Sequence, residues 1–318
     1  MQITTTTEIQ RYAGTHKARA EAWAAHSDAD LKRRAVVAAH ERAAAELWSL
    51  TEAYLTLHGA SGATVSPHTR RSYRRGVEDL VAAWARENLL RPSRDAAHVF
   101  VRDLEAQGLT PGTVRVKLAS ARLLYKALRW AGATEAVPFE DVRAARDHTA
   151  PEDKRRPYTH EALERLLQAA GPVDRVMVLL GAHSGLRVAE MVALEWRDVD
   201  LAERTMTVRR GKGGKRRAVT LGPTVLQALN DLRAVSLGAK VLPFATTNRA
   251  RQRLEALCNR AGVRYLGVHA LRHYSGTRLA GERELRDVAR HLGHSSIETT
   301  AVYAKWRREA LQSSVGTW

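Results

Sequence analysis

Residues 268–280 read VHALRHYSGTRLA, and a second run, 290–296, reads RHLGHSS. The first places His269 and Arg272 one turn apart on a helix, and the second adds His291 and His294. Nine residues beyond His294, the segment ETTAVYAKW (298–306) offers Tyr303. Helical signals run from about residue 223 to the end, with breaks near Gly238, Pro243 and Gly267. This half of the chain therefore reads as mainly helical.

Working outward, HSGLRVAEMVALEW (183–196) has Ser184 and Gly185 interrupting an apolar helix, after which Arg187 opens the next. A guanidinium at a helix start beside glycine has a planar fork suited to phosphate. Glu190 follows at i+3, where a carboxylate can orient that guanidinium; the plainer reading is a surface ion pair worth little. Between Thr205–Arg209 and Arg216–Leu221 lies the basic turn of RRGKGGKRR (209–217), which predicts a small antiparallel hairpin carrying Lys212, Lys215 and Arg216 outward. Helices are expected around 160–170 and 173–183.

Residues 143–157, RAARDHTAPEDKRRP, combine charge and proline with little apolar content and read as a linker. Ahead of it, residues 47–142 predict a helical domain, with Ser66 before Pro67 and Thr110 before Pro111 each pairing a cap residue with a proline at the first helical position. Arg70, Arg71, Arg74 and Arg75 crowd the start of one helix, and Arg115, Lys117, Arg122 and Lys126 repeat the pattern on another. Such clusters are often solvated faces, but two of them suit a phosphate backbone. Residues 1–46 read as a helical arm of unknown role, with an apolar stripe thin enough that a partner is expected to order it. Residues 158–318 make the remaining domain, and no internal repeat is visible.

The chain of 318 residues carries 51 Lys plus Arg against 34 Asp plus Glu, a formal charge of +17. A polyanion is the natural partner, with nucleic acid favoured over a membrane surface. The single cysteine, Cys258, excludes an intramolecular disulfide framework. No apolar run approaches the roughly 20 residues that span a bilayer. A cytoplasmic protein without membrane contact is expected. The glycines of 209–217 lack the spacing of a P-loop and no helix follows them. Zinc on the histidines would need further ligands, and Arg272 and Arg278 oppose a cation, so no metal is expected.

Taken together, Arg187, a hairpin lysine, HALR, LGH and a tyrosine nine residues on resemble the tyrosine recombinase (phage integrase) family. The resemblance covers about 158–304 and, more loosely, 47–142. It implies a mainly α fold with a small antiparallel sheet in the catalytic domain, joined to a helical, SAM-like core-binding domain so that the two clamp a DNA duplex.

By the same resemblance, Tyr303 is similar to the nucleophile, and Arg187 and Arg272 to the ligands of the scissile phosphate. Lys212 is similar to the general acid, with Lys215 as substitute; His269 to the acid–base histidine; His294 to a hydrogen-bond donor to the phosphate; and Glu190 to their support. No cofactor is implied. The partners implied are double-stranded DNA and further copies of the chain, as a tetramer on two DNA sites, with a second recombinase or accessory protein as a further partner. After Tyr303, residues Trp306, Ala310, Leu311, Val315 and Trp318 fall on one side of a helix, which in this family docks on a neighbouring protomer. The compact plan resembles the Xer proteins that resolve chromosome dimers, whereas the N-terminal arm suits an integrase of a mobile element. A type IB topoisomerase and an inactive DNA-binding relative are the further alternatives.

Overall fold

The computed structural model describes residues 6–149, 156–209 and 216–293, with side chains from residue 14 onward. The chain divides into two compact units, Met1–His148 and Thr149–Trp318.

Among the described residues the first unit is built from six α-helices, α1 Thr6–Ala24, α2 Asp28–His40, α3 Ala44–His58, α4 Pro67–Ala83, α5 Ala96–Ala106 and α6 Pro111–Trp130. Ser66 and Thr110 cap α4 and α6 through their hydroxyls, which accept from the Thr69 and Thr113 amides at 3.1 and 3.4 Å. Each satisfies a donor that a helix start leaves without a partner. Trp84 stacks on Phe139 with ring centroids 5.4 Å apart, and Phe100 and Tyr125 meet Trp84 edge-on. Offset and edge-on pairs of this kind add ~1 kcal/mol each beyond the area they bury.

The helices of residues 1–46 differ from the expectation of an arm waiting for a partner. α1 and α2 bury Ala20, Trp23, Leu31, Ala35, Ala38 and Ala39 in the same core as α3 to α6. Alanines allow close approach, and one tryptophan supplies the area that the thin stripe lacks. Its indole N–H also donates to Ser49 Oγ at 2.9 Å.

The second unit contains α7 His160–Gln168, α8 Pro172–Ala182, α9 Val188–Ala193, β1 Val199–Asp200, β2 Thr205–Val208, β3 Arg217–Thr220, α10 Pro223–Val235, α11 Thr247–Arg260, α12 Val268–Glu282 and α13 Leu285–Leu292. The three strands form one antiparallel sheet in the order β1-β2-β3, with Val199 opposite Met206 and Val208 opposite Arg217. The hairpin is the one read from the sequence. β1 is an addition, and a two-residue strand is too short to show alternation.

Helix α8 runs through the core, with Val176, Met177, Val178, Leu179 and Leu180 all buried. Gly181 lets α12 approach it, since a Cβ there would lie 2.7 Å from that of Leu271. At its start, buried Asp174 accepts from Arg253 Nε at 2.6 Å and Arg260 Nη2 at 2.8 Å, tying α11 to α8. The protein is mainly helical with a small antiparallel sheet.

Candidate active site

The site begins where α8 stops. Gly185 has φ +64°, and a Cβ there would lie 2.5 Å from Leu292 Cδ2, so both backbone and space require glycine. The turn delivers Arg187 as the extended N-cap of α9. Glu190, at the third helical position, reaches back: its Oε2 accepts from the Arg187 amide at 2.8 Å and its Oε1 from Arg187 Nη1 at 2.9 Å. Arg217, the first residue of β3, grips the same carboxylate with both arms of its fork, at 2.9 and 2.8 Å. Arg272 Nη1 stands 4.0 Å from Glu190 Oε2.

The Glu190 side chain is 2% exposed. Burial alone would raise its pKa, but the bonds and charges of Arg217 and then Arg187 outweigh this and hold the carboxyl below the ordinary range. One carboxylate set among three guanidiniums leaves an excess of positive charge. The arrangement is prepared for an anion.

The same three arginines meet the end of α13. Arg217 Nε donates to the His291 carbonyl at 3.1 Å, Arg272 Nη2 to Leu292 at 2.6 Å, and Arg187 Nη2 to Gly293 at 3.2 Å. Three successive carbonyls at a helix C-terminus, where the dipole is negative, thus each receive one guanidinium. Gly293, at φ +65°, makes the left-handed turn that closes α13. Arg272 also donates to the Gly185 carbonyl. It is 1% exposed, whereas the Arg187 side chain is 23% exposed.

A cleft of about 830 Å³ is lined by Arg156, Val188, Arg251, Arg264, His269 and His273, among others. His269 is exposed on the first turn of α12, with its ring edge-on to that of His273 at 4.9 Å. Val188, beside Arg187, connects the cleft to the arginine cluster. The structure thus brings Arg187, Glu190 and Arg272 together, with His269 one turn before Arg272. Lys212, Lys215, His294, Tyr303 and the tail from Trp306 lie outside the described residues.

Among the basic residues expected to face DNA, Arg71, Arg74 and Arg75 on α4, Arg115 and Lys126 on α6, and Arg216 are exposed. Arg70 is a correction. It is 3% exposed, pairs with Glu52 at 3.3 Å and donates to Thr56 Oγ1 at 3.2 Å, so its charge is spent inside the unit. Arg122 is likewise engaged internally, donating to the carbonyls of Phe139 at 2.9 Å and Val142 at 2.6 Å. Lys117 is paired with Asp79.

Sequence reasoning missed Arg217, Arg251 and Arg264. A signal for the first existed: Arg217, Val219 and Leu221 alternate with outward residues, and both apolar members are buried. Arg217 therefore belongs to the inner face of its strand.

Residues 157–309 match the phage integrase family, and residues 60–132 match the phage integrase N-terminal SAM-like domain. Tyrosine recombinase XerC of Xanthomonas campestris pv. campestris (strain B100) is 32% identical over 257 residues, 75% of this chain and 79% of that protein. The chain belongs to the phage integrase family. XerC of Neisseria gonorrhoeae (strain ATCC 700825 / FA 1090) is 33% identical over 270 residues, 76% of this chain and 86% of that protein. This member of the family is a Xer-like tyrosine site-specific recombinase, which decides against the topoisomerase reading.

The fold is shared with solved integrases. A lambda integrase tetramer bound to a Holliday junction gives a TM-score of 0.68 at 15% identity, covering 82% of this chain and 78% of that one. The Tn1549 transposon integrase in complex with transposon right end DNA gives 0.64 at 17%, covering 85% and 99%. Among the described residues, no helix is long and apolar enough to cross a membrane.

Proposed function

We propose that this recombinase cuts and rejoins double-stranded DNA at paired sites with Tyr303 as nucleophile. The observation that supports it most is the excess positive charge of Arg187, Arg217 and Arg272 around buried Glu190, next to a cleft that holds His269.

In this reading the Tyr303 hydroxyl attacks the scissile phosphorus and gives its proton to His269. The bond to the 5′-oxygen breaks, and Lys212 protonates the departing oxygen, with Lys215 as its substitute. Arg187 and Arg272 neutralise the non-bridging oxygens, and His294 donates a further hydrogen bond. The Arg272 guanidinium is buried and held in place by the Gly185 and Leu292 carbonyls. The products are a 3′-phosphotyrosine and a free 5′-hydroxyl. The phosphotyrosine retains the phosphodiester bond energy, so attack by a 5′-hydroxyl of another duplex completes strand exchange without a cofactor.

The exposed Arg71, Arg74, Arg75, Arg115, Lys126 and Arg216 supply phosphate contacts that position the duplex. A tetramer on two DNA sites, in the cytoplasm, with a Xer-like role in resolving chromosome dimers, completes the reading.

Tyr303→Phe removes only the nucleophilic oxygen. DNA affinity should be unchanged, while the covalent protein–DNA adduct on a nicked substrate should disappear. An adduct persisting in this variant would refute the assignment.

A further inference from the structure

We propose that Arg217 is a positioning residue for cleavage: by occupying Glu190 it keeps Arg187 free to take the scissile phosphate. The inference rests on the reading of Arg187 as a phosphate ligand and deepens it.

A carboxylate offers about four lone-pair positions. On Glu190 all of them are filled: Oε1 by Arg187 Nη1 and Arg217 Nη1, Oε2 by the Arg187 amide and Arg217 Nη2. Arg187 therefore gives the carboxylate one side-chain N–H and the Gly293 carbonyl another, and keeps the rest of its five for a ligand. Without Arg217, two acceptor positions open on a carboxylate that is 2% exposed. The guanidinium already bonded to Glu190 is the donor best placed to fill them. Arg187 would turn its fork inward and lose the edge that meets the phosphate.

In this arrangement the bidentate partner is the more buried arginine and the single-armed partner is the less buried one. Arg217 has only 11% of its side chain exposed, against 23% for Arg187. Its third bond, from Nε to the His291 carbonyl, fixes it from the opposite side. It begins β3, five residues after Lys212, so an effect through the hairpin lysine is the alternative to exclude.

The test measures the rate of covalent adduct formation by the full chain on three DNA substrates. One has an ordinary scissile phosphate. In the second, a methylphosphonate replaces one charged oxygen by a neutral methyl. In the third, the bridging 5′-oxygen is sulfur, which leaves without a proton. Arg217→Ala should slow the ordinary reaction by roughly 100-fold, the scale of losing one preorganised donor. On the methylphosphonate, where less charge needs neutralising, the deficit should shrink to roughly 10-fold or less. The sulfur substrate should leave it unchanged.

Equal deficits on all three substrates, or no deficit, would overturn the proposal in favour of a structural role. Relief by sulfur alone would overturn it in favour of the lysine. Arg217→Lys, which keeps the charge but not the fork, is measured alongside in case Arg217→Ala fails to fold, and should show the same pattern. Arg187→Ala separates the two layers of the argument. If it too lacks methylphosphonate relief, the reading of Arg187 fails; if it has relief and the Arg217 variants do not, only this inference fails.

Discussion

Burying Glu190 is costly unless its charge is met, and three arginines meet it. Removing Glu190 should cost several kcal/mol, because the guanidiniums are then left uncompensated in a poorly solvated place. The same positive field reaches His291. Burial first, and then the charges of Arg217 and Arg272, lower its pKa from the ordinary 6.5. In the unfolded chain this imidazole takes up a proton once the pH falls below about 6.5; in the folded protein it does so only at lower pH. The unfolded state thus binds more protons across that interval. The contribution of His291 to stability is complete above about pH 6.5 and is lost progressively as the pH falls towards the folded pKa. Melting temperatures of the wild type and His291→Gln, taken from about pH 8 down to about pH 5, should draw together or cross on the acid side. Parallel curves would show that His291 is not the titrating group. At this scale the sequence was half legible. Arg187 and Glu190 declare themselves by sequence spacing and a glycine turn, while Arg217 is 27 residues from Glu190 and meets it only through the tertiary fold.

Among the elements, the α4–α6 crossing is set by one missing side chain. A Cβ on Gly76 would stand 2.3 Å from Ser120 Oγ and 2.5 Å from Ser120 Cβ. Neither is the tip of a flexible chain, so the helices would have to separate, at ~1–3 kcal/mol for an overpacked contact. Gly76→Ala should therefore lower the melting temperature of the first unit. In a Ser120→Gly background the space exists, and alanine is the better helix former by ~1 kcal/mol, so the same change should become neutral or stabilising. An equal loss in both backgrounds would place the strain elsewhere. Periodicity made α4 easy to find, and the same periodicity shows why Arg70 was misread. Arg70, Val77, Leu80 and Val81 are all buried on this helix, so Arg70 lies on the face that packs. Charge drew attention to the cluster; position decided which member turns inward, where Glu52 of α3 receives it. β1 and the packed state of α1 and α2 were illegible for a different reason. Two residues carry no alternation, and alanine-rich helices show their docking only when the tryptophan beside them finds its place.

For the whole molecule, the formal charge of +17 does not say which cations face a ligand. The structure sorts them. Arg70 and Arg122 are engaged internally, Arg71 and Arg75 are exposed on the first unit, and Arg251 and Arg264 are exposed on the second along the cleft that holds His269. If both units engage one duplex, each phosphate contact releases counterions and steepens the dependence of log affinity on log salt by about 0.9. Arg71→Ala with Arg75→Ala should then flatten that slope by about 1.8, Arg251→Ala with Arg264→Ala by about as much, and the four together by about 3.6. Arg70→Ala should leave the slope alone and lower thermal stability instead, since its partner is Glu52. The measurement is a titration of binding to a short duplex at several salt concentrations. A slope unmoved by the Arg251 and Arg264 pair would mean that the cleft does not face the DNA backbone, and a slope moved only by that pair would mean that the first unit does not hold the duplex. Either result would remove the clamp from this protein while leaving the arginine cluster around Glu190 as it is.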